Sequence, residues 1–200
     1  MASRGDYRIT MARPEIAIRL PIGEDGDLTA WAEMTARAHQ GYDAPDQDVA
    51  DFAHAILAAA ADSSKREVAM AYLLPDEVAP VEMARIEVVD VNPDETVPAV
   101  TLDWLEQVYS VPGAELVAPV DVWRGELPAG PAVRVARQVL TDVDEFGDGL
   151  LVHSVVYAVR PPGTDFAVVL SVTWSAVLLA EELLEMSDAL AQTLQVLPAR

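Results

Sequence analysis

Residues 150–176 read LLVHSVVYAVRPPGTDFAVVLSVTWSA. Two apolar runs flank a short break, Pro161-Pro162-Gly163-Thr164. In the second run Phe166, Val168, Leu170, Val172 and Trp174 alternate with Ala167, Val169, Ser171 and Thr173. Successive strand side chains point to opposite faces, so these are two sets. The second set is small and uncharged. The first run behaves alike, with Val152 and Val156 on one side and Val155, Tyr157 and Val159 on the other. A strand wetted on one face would alternate apolar with charged residues. Both runs therefore read as strands covered on both faces, joined as an antiparallel hairpin through the Pro-Pro-Gly-Thr loop.

Cover on both faces calls for helices, and four are legible. Asp27 can cap a helix over 28–39, whose apolar side includes Leu28, Trp31 and Met34. Asp46 or Asp48 starts a second, with Val49, Phe52, Ile56 and Ala59 or Ala60 at helical spacing. A short third, 102–109, carries Trp104, Leu105 and Val108 before Pro112-Gly113 stops it. The fourth is expected over 177–196, with Leu179, Leu183, Met186, Leu190, Leu194 and Leu197 as one stripe and Pro198 as its end.

Strands are expected at 15–22, 67–74, 81–91, 115–123, 132–140, 150–159 and 166–174. Pro119 breaks the 115–123 segment and marks it as an edge or bulged strand. The late strands follow one another through short turns, so the sheet is mainly antiparallel there. The expected fold is α+β: a three-layer α/β/α sandwich with a mainly antiparallel sheet and a C-terminal helix. Residues 1–14 are expected as a disordered leader, with Met11 an alternative start, and 15–200 as a single domain.

Three stretches carry a family resemblance: LPAGPAVRVARQV at 127–139, the 150–176 hairpin, and LLEMSDALAQTLQVL at 183–197. Together, over roughly 115–197, they resemble the C-terminal half of the PsbP-like family, whose fold is shared with the Mog-type Ran-binding factor and with actinobacterial lipoproteins. Ala191, Thr193, Leu194 and Gln195 stand where that family closes its last helix. The resemblance implies a strand meander closed by a C-terminal helix and a role as a binding or assembly module. The lipoproteins carry a lipobox cysteine, and this chain of 200 residues has no cysteine.

Composition narrows the function classes. Lys and Arg number 13 against 33 Asp and Glu, a net charge of −20. Such a field repels phosphate, so neither nucleic acid nor an anionic membrane is an expected partner, while a basic protein is. The absence of cysteine excludes disulfides, thiolate metal sites and a cysteine nucleophile. No signal-peptide core and no membrane span are legible, and a cytoplasmic location is expected.

Chemical signatures are few. His39, His54 and His153 do not share metal-ligand spacing. His39 reads as a helix-end cation and His153 as a partly buried, hydrogen-bonded strand residue. Asp142, Asp144 and Gly147 match positions of a calcium loop, but Phe146 and His153 stand where ligands are required, and an acidic hairpin loop is the better reading. There is no nucleophile elbow and no glycine-rich phosphate loop. No catalytic, metal or cofactor residue is therefore assigned. Trp123 and Arg124, beside the proline-broken strand, are the candidate interface pair. The leading expectation is a non-enzymatic protein-binding module, such as a secretion chaperone or adaptor, or an immunity protein for a basic partner. A small-molecule-binding protein or enzyme with a pocket between sheet and helices is the alternative, and a structural subunit of an assembly the third.

Overall fold

A computed structural model describes residues 7–22, 27–41, 43–65, 68–75, 82–111, 115–141 and 149–199. The hairpin of the opening stretch forms as expected. Strands β8 (Leu150–Val159) and β9 (Ala167–Trp174) pair antiparallel from His153↔Trp174 to Val159↔Val168. The turn between them needs Gly163, which sits at φ +78°, where a β-carbon would be strained. Thr164 fixes it by donating its hydroxyl to the Pro161 carbonyl at 2.8 Å.

Around this hairpin lies one sheet in the order β2-β3-β4-β9-β8-β7, with β2 (Ile18–Leu20), β3 (Met70–Pro75), β4 (Glu82–Val91) and β7 (Gly130–Thr141). The outer edge of β7 is shared by β5 (Glu115–Leu116) and β6 (Asp121–Leu127). Pro119 falls between these two, so the expected bulged strand is two strands on one edge. All of these pairings are antiparallel.

Each face of the sheet has its own core. On one side α1 (Leu28–Gln40), α2 (Asp46–Lys65) and α3 (Leu102–Ser110) provide the cover. Phe52, Ile56 and Ala60 of α2 pack with Leu20, Ala71 and Leu73. Leu105 of α3 packs with Val133, Val135, Val156, Ala158, Ala167 and Val169. Asp27 caps α1 by accepting from Thr29 N and Ala30 N. The expected apolar side of α1 is only partly used: Met34 is 70% exposed, and Ala32 and Ala36 are buried instead. Small side chains let α1 approach α2 closely, and the larger ones are left outside.

The other face is covered by α4 (Ala180–Thr193) and by a two-stranded ribbon of β1 (Tyr7–Thr10) and β10 (Gln195–Pro198). Here Val155, Tyr157, Val159, Phe166, Val168, Leu170 and Val172 meet Leu183, Leu190 and Leu194. Two expectations change at this ribbon. The final helix stops at Thr193 rather than running to 196, and Leu194 turns extended at ψ 130°. Residues 7–10, expected within a leader, supply the partner strand, from Tyr7↔Pro198 to Thr10↔Gln195. The ladder gives the backbone of 195–198 partners that a last helical turn before Pro198 would lack. Thr193 Oγ1 then accepts from Ala12 N at 3.0 Å, tying the two termini of the ribbon together.

Candidate functional site

Buried polar atoms without described partners lie on both faces: Ser110 Oγ and Arg137 Nε at the end of α3, and Arg134 Nε, His153 Nε2 and Trp174 Nε1 under α4. His153 on β8 and Trp174 on β9 are register partners, and their rings stack at 5.4 Å with 9° between planes. Both are buried, at 7% and 5% exposure. Yet His153 Nε2 and Trp174 Nε1 have no hydrogen-bond partner among the described residues. Burial lowers the His153 pKa from its ordinary value, so the ring is neutral at pH 7. The expectation of a buried histidine holds, while the expected hydrogen bond at Nε2 is absent among the described residues. An unpaired buried polar group costs about 1–3 kcal/mol, so two side by side call for an explanation.

Those two rings line a cavity of about 290 Å³ with Arg134, Ala136, Val155 and Leu184. Arg134 on β7 is its inner wall. Its guanidinium pairs with Asp121 of β6 and lies 3.5 Å from Asp188 of α4, while its Nε lacks a partner among the described residues. Beyond Arg134 a second cavity of about 380 Å³ is lined by Trp123, Leu127, Tyr157 and Gln192. Tyr157 donates to Asp188 at 2.6 Å. Burial, then that hydrogen bond and the carboxylate charge, push its pKa far above the ordinary phenol value, with Arg134 opposing. Tyr157 thus remains a donor that orients Asp188.

Trp123 and Arg124, the candidate pair, are separated by the strand. Trp123 is 42% exposed on the cavity face. Its indole lies over Gly125, where a β-carbon would run into the ring. Arg124 points to the opposite face and donates to Glu106 at 2.5 Å and Asp103 at 2.6 Å on α3. The hydrogen bonds to Glu106 and Asp103 raise its pKa. Consecutive strand residues cannot share a face, so these two do not form one anchor.

The remaining sequence candidates are scattered. His39 packs against Phe52 at 5.1 Å, and His54 faces the groove between α1 and α2. That groove has a volume of about 780 Å³, but Arg37 within it is already engaged by Asp46 and by the Ala44 carbonyl. Asp142, Asp144 and Gly147 lie outside the described residues. Among the described residues no three His, Asp or Glu are grouped to hold a metal, and no helix is long and apolar enough to cross a membrane.

A second feature escaped the sequence reading. One end of the sheet, where Thr141 pairs with Leu150, gathers exposed apolar side chains. Val108 and Val111 come from the end of α3, Val117 follows β5, Leu150 opens β8, and Val177, Leu178 and Leu179 form a single 3-10 turn before α4. Leu178 is 95% exposed. These are seven of the thirteen exposed large apolar residues among those described, placed toward one end of the sheet with Val108 and Val111 on the α3 side and Val177 to Leu179 on the α4 side. The sequence shows each of them, but only the register brings them to one end.

Fold and cleft together define an α+β sandwich whose antiparallel sheet is closed by helices on one side and left partly open beneath a single helix on the other. Neither a family model nor a curated protein matches the chain. Among solved structures it is similar to LpqN of Mycobacterium tuberculosis, a protein involved in cell envelope biogenesis, with a TM-score of 0.55 and 9% sequence identity over 98% of this chain and 87% of that one. At that identity the likeness shows the fold alone.

Proposed function

We propose that this protein is a cytoplasmic, non-enzymatic module that binds a basic partner protein through the apolar end of its sheet. The observation that carries the reading is the cluster from Val111 to Leu178, exposed on a chain of net charge −20. Glu181 and Glu182 in the first turn of α4 border the cluster. An apolar contact rimmed by acidic groups fits a partner that offers apolar side chains within a basic surface. The PsbP-like placement of residues 115–197 belongs to the same proposal. What supports it is the strand meander closing on α4 and the fold likeness to LpqN.

The test is a pull-down from lysate of the source organism with the wild-type chain and with Leu178→Asp, a substitution at a side chain too exposed to affect folding. The expected result is a basic protein captured by the wild type and lost with Leu178→Asp. Its association should slow steeply as salt rises, because the Debye length falls from about 30 Å at 0.01 M to about 8 Å at 0.15 M. Capture that ignores the substitution, no capture at low salt, or a purified chain that buries Leu178 against its own second copy contradicts the proposal.

A further inference from the structure

We propose that the cavity between α4 and strands β7 to β9 is a binding site for a small uncharged molecule that combines an apolar body with a carbonyl-type hydrogen-bond acceptor. This goes beyond partner binding, and the cavity adjoins the apolar end of the sheet at Glu181. Its basis is the set of buried, unpartnered polar atoms on residues that line the cavity. Trp174 Nε1–H and Arg134 Nε–H can only donate, and neither has a partner among the described residues. An occupant must therefore bring an acceptor. His153 Nε2, equally without a partner, accepts or donates according to its tautomer, so an amide-like edge satisfies it and Trp174 together.

The charge of the occupant follows from its surroundings. The guanidinium of Arg134 is already held between Asp121 and Asp188, and Glu181 also lines the cavity. An anion would meet that carboxylate and the field of a −20 chain, and the other lining arginine, Arg137, turns its guanidinium to the Tyr109 and Val111 carbonyls. A cation such as an ammonium brings no acceptor, so it would leave the Trp174 and Arg134 N–H groups unsatisfied beside the Arg134 charge. Ala136, Val155 and Leu184 supply apolar walls. The volume of about 290 Å³ lies at the lower edge of small-molecule pockets, which admits a compact ligand.

Benzamide, benzoate and benzylamine share one apolar body and differ in charge, so they serve as probes. The readout is the indole N–H signals of Trp31, Trp104, Trp123 and Trp174 in ¹H–¹⁵N spectra of the full chain, with Trp174 assigned by its absence in Trp174→Phe. Benzamide should shift the Trp174 signal saturably, and the two charged probes should bind at least about tenfold more weakly. Ala136→Leu, which fills the cavity and leaves the donors in place, should abolish the shift. Should that variant fail to fold, Leu184→Phe fills the cavity from the half-buried α4 side and should do the same. No saturable shift, as when the cavity holds only water, overturns the proposal. So do equal shifts by all three probes, or shifts at Trp31 or Trp104 rather than Trp174.

Discussion

The two faces of the β8–β9 hairpin carry similar apolar residues but are covered differently. Beneath α3, Val156, Ala158, Ala167 and Val169 meet Leu105 and are buried. Farther across that face Ser63 of α2 donates to Glu87 at 2.6 Å and Arg85 pairs with Asp62 at 2.6 Å, while at the end of α3 Ser110 Oγ and Arg137 Nε lack described partners. Beneath α4, the same sheet leaves His153 Nε2 and Trp174 Nε1 without a partner among the described residues. The difference is one of area. Seven strand positions about 4.8 Å apart span about 29 Å, whereas one helix is about 10 Å wide and fourteen residues of it run about 21 Å. Three helices close one face, while one helix and a short ribbon cannot close the other. Uncovered area on a two-sided sheet is where a fold of this kind has room for a site.

The largest effects should come from the well-packed parts of both faces. Leu105→Ala and Leu190→Ala, one on each side, should each cost about 2–5 kcal/mol in denaturant unfolding, as buried leucines do. Leu184→Ala, at the cavity wall, should cost only about 1 kcal/mol, because its neighbours already face open space. Equal losses at Leu105 and Leu184 would erase the contrast between the faces.

Polar groups sharpen it further. Ser63→Ala removes a hydrogen bond to the buried Glu87 carboxylate and should cost about 1.5–3 kcal/mol. His153→Leu removes a buried nitrogen that has no described partner and should change stability by less than about 1 kcal/mol in either direction. A large loss at His153 would mean that its nitrogen is paired after all.

The same histidine predicts a pH effect. Burial lowers its pKa in the fold, while the unfolded chain titrates near the ordinary 6.5. Above that pH both states are neutral and the group is silent. As pH falls through about 6.5, the unfolded chain takes up a proton that the fold resists, and stability declines. The stability difference between the wild type and His153→Leu should be constant above pH 7, and below it the wild type should lose stability relative to the variant in melting curves. The smallest effect belongs to Arg124→Ala. Its ion pairs to Asp103 and Glu106 are exposed and screened by salt, so the unfolding midpoint should barely move at physiological ionic strength.

Much of the fold was legible because it rests on local signals. The two-sided hairpin, the Asp27 cap, the Val49–Phe52–Ile56 stripe and the Pro119 break are each carried by residues within one turn or one strand. The β1–β10 ribbon was not, because its strands are short and lie at opposite ends of the sequence, and the 194–197 spacing suits a helix as well as a strand. The cavity was invisible for a related reason. That His153 faces Trp174 follows from register, and that neither nitrogen finds a partner follows from how little α4 covers. The Trp123–Arg124 reading took neighbours in sequence as neighbours in space, which strand alternation forbids.

Hydrogen exchange at the Trp174 indole N–H tests the central claim, that α4 covers the polar centre of its face less fully than the three helices cover the other. Although Trp174 is only 5% exposed, its indole proton should exchange faster than the ladder amides of Val169 and Leu170 on the same strand, and benzamide should slow it. An indole proton that exchanges as slowly as those amides, with no response to the probe, would contradict the account.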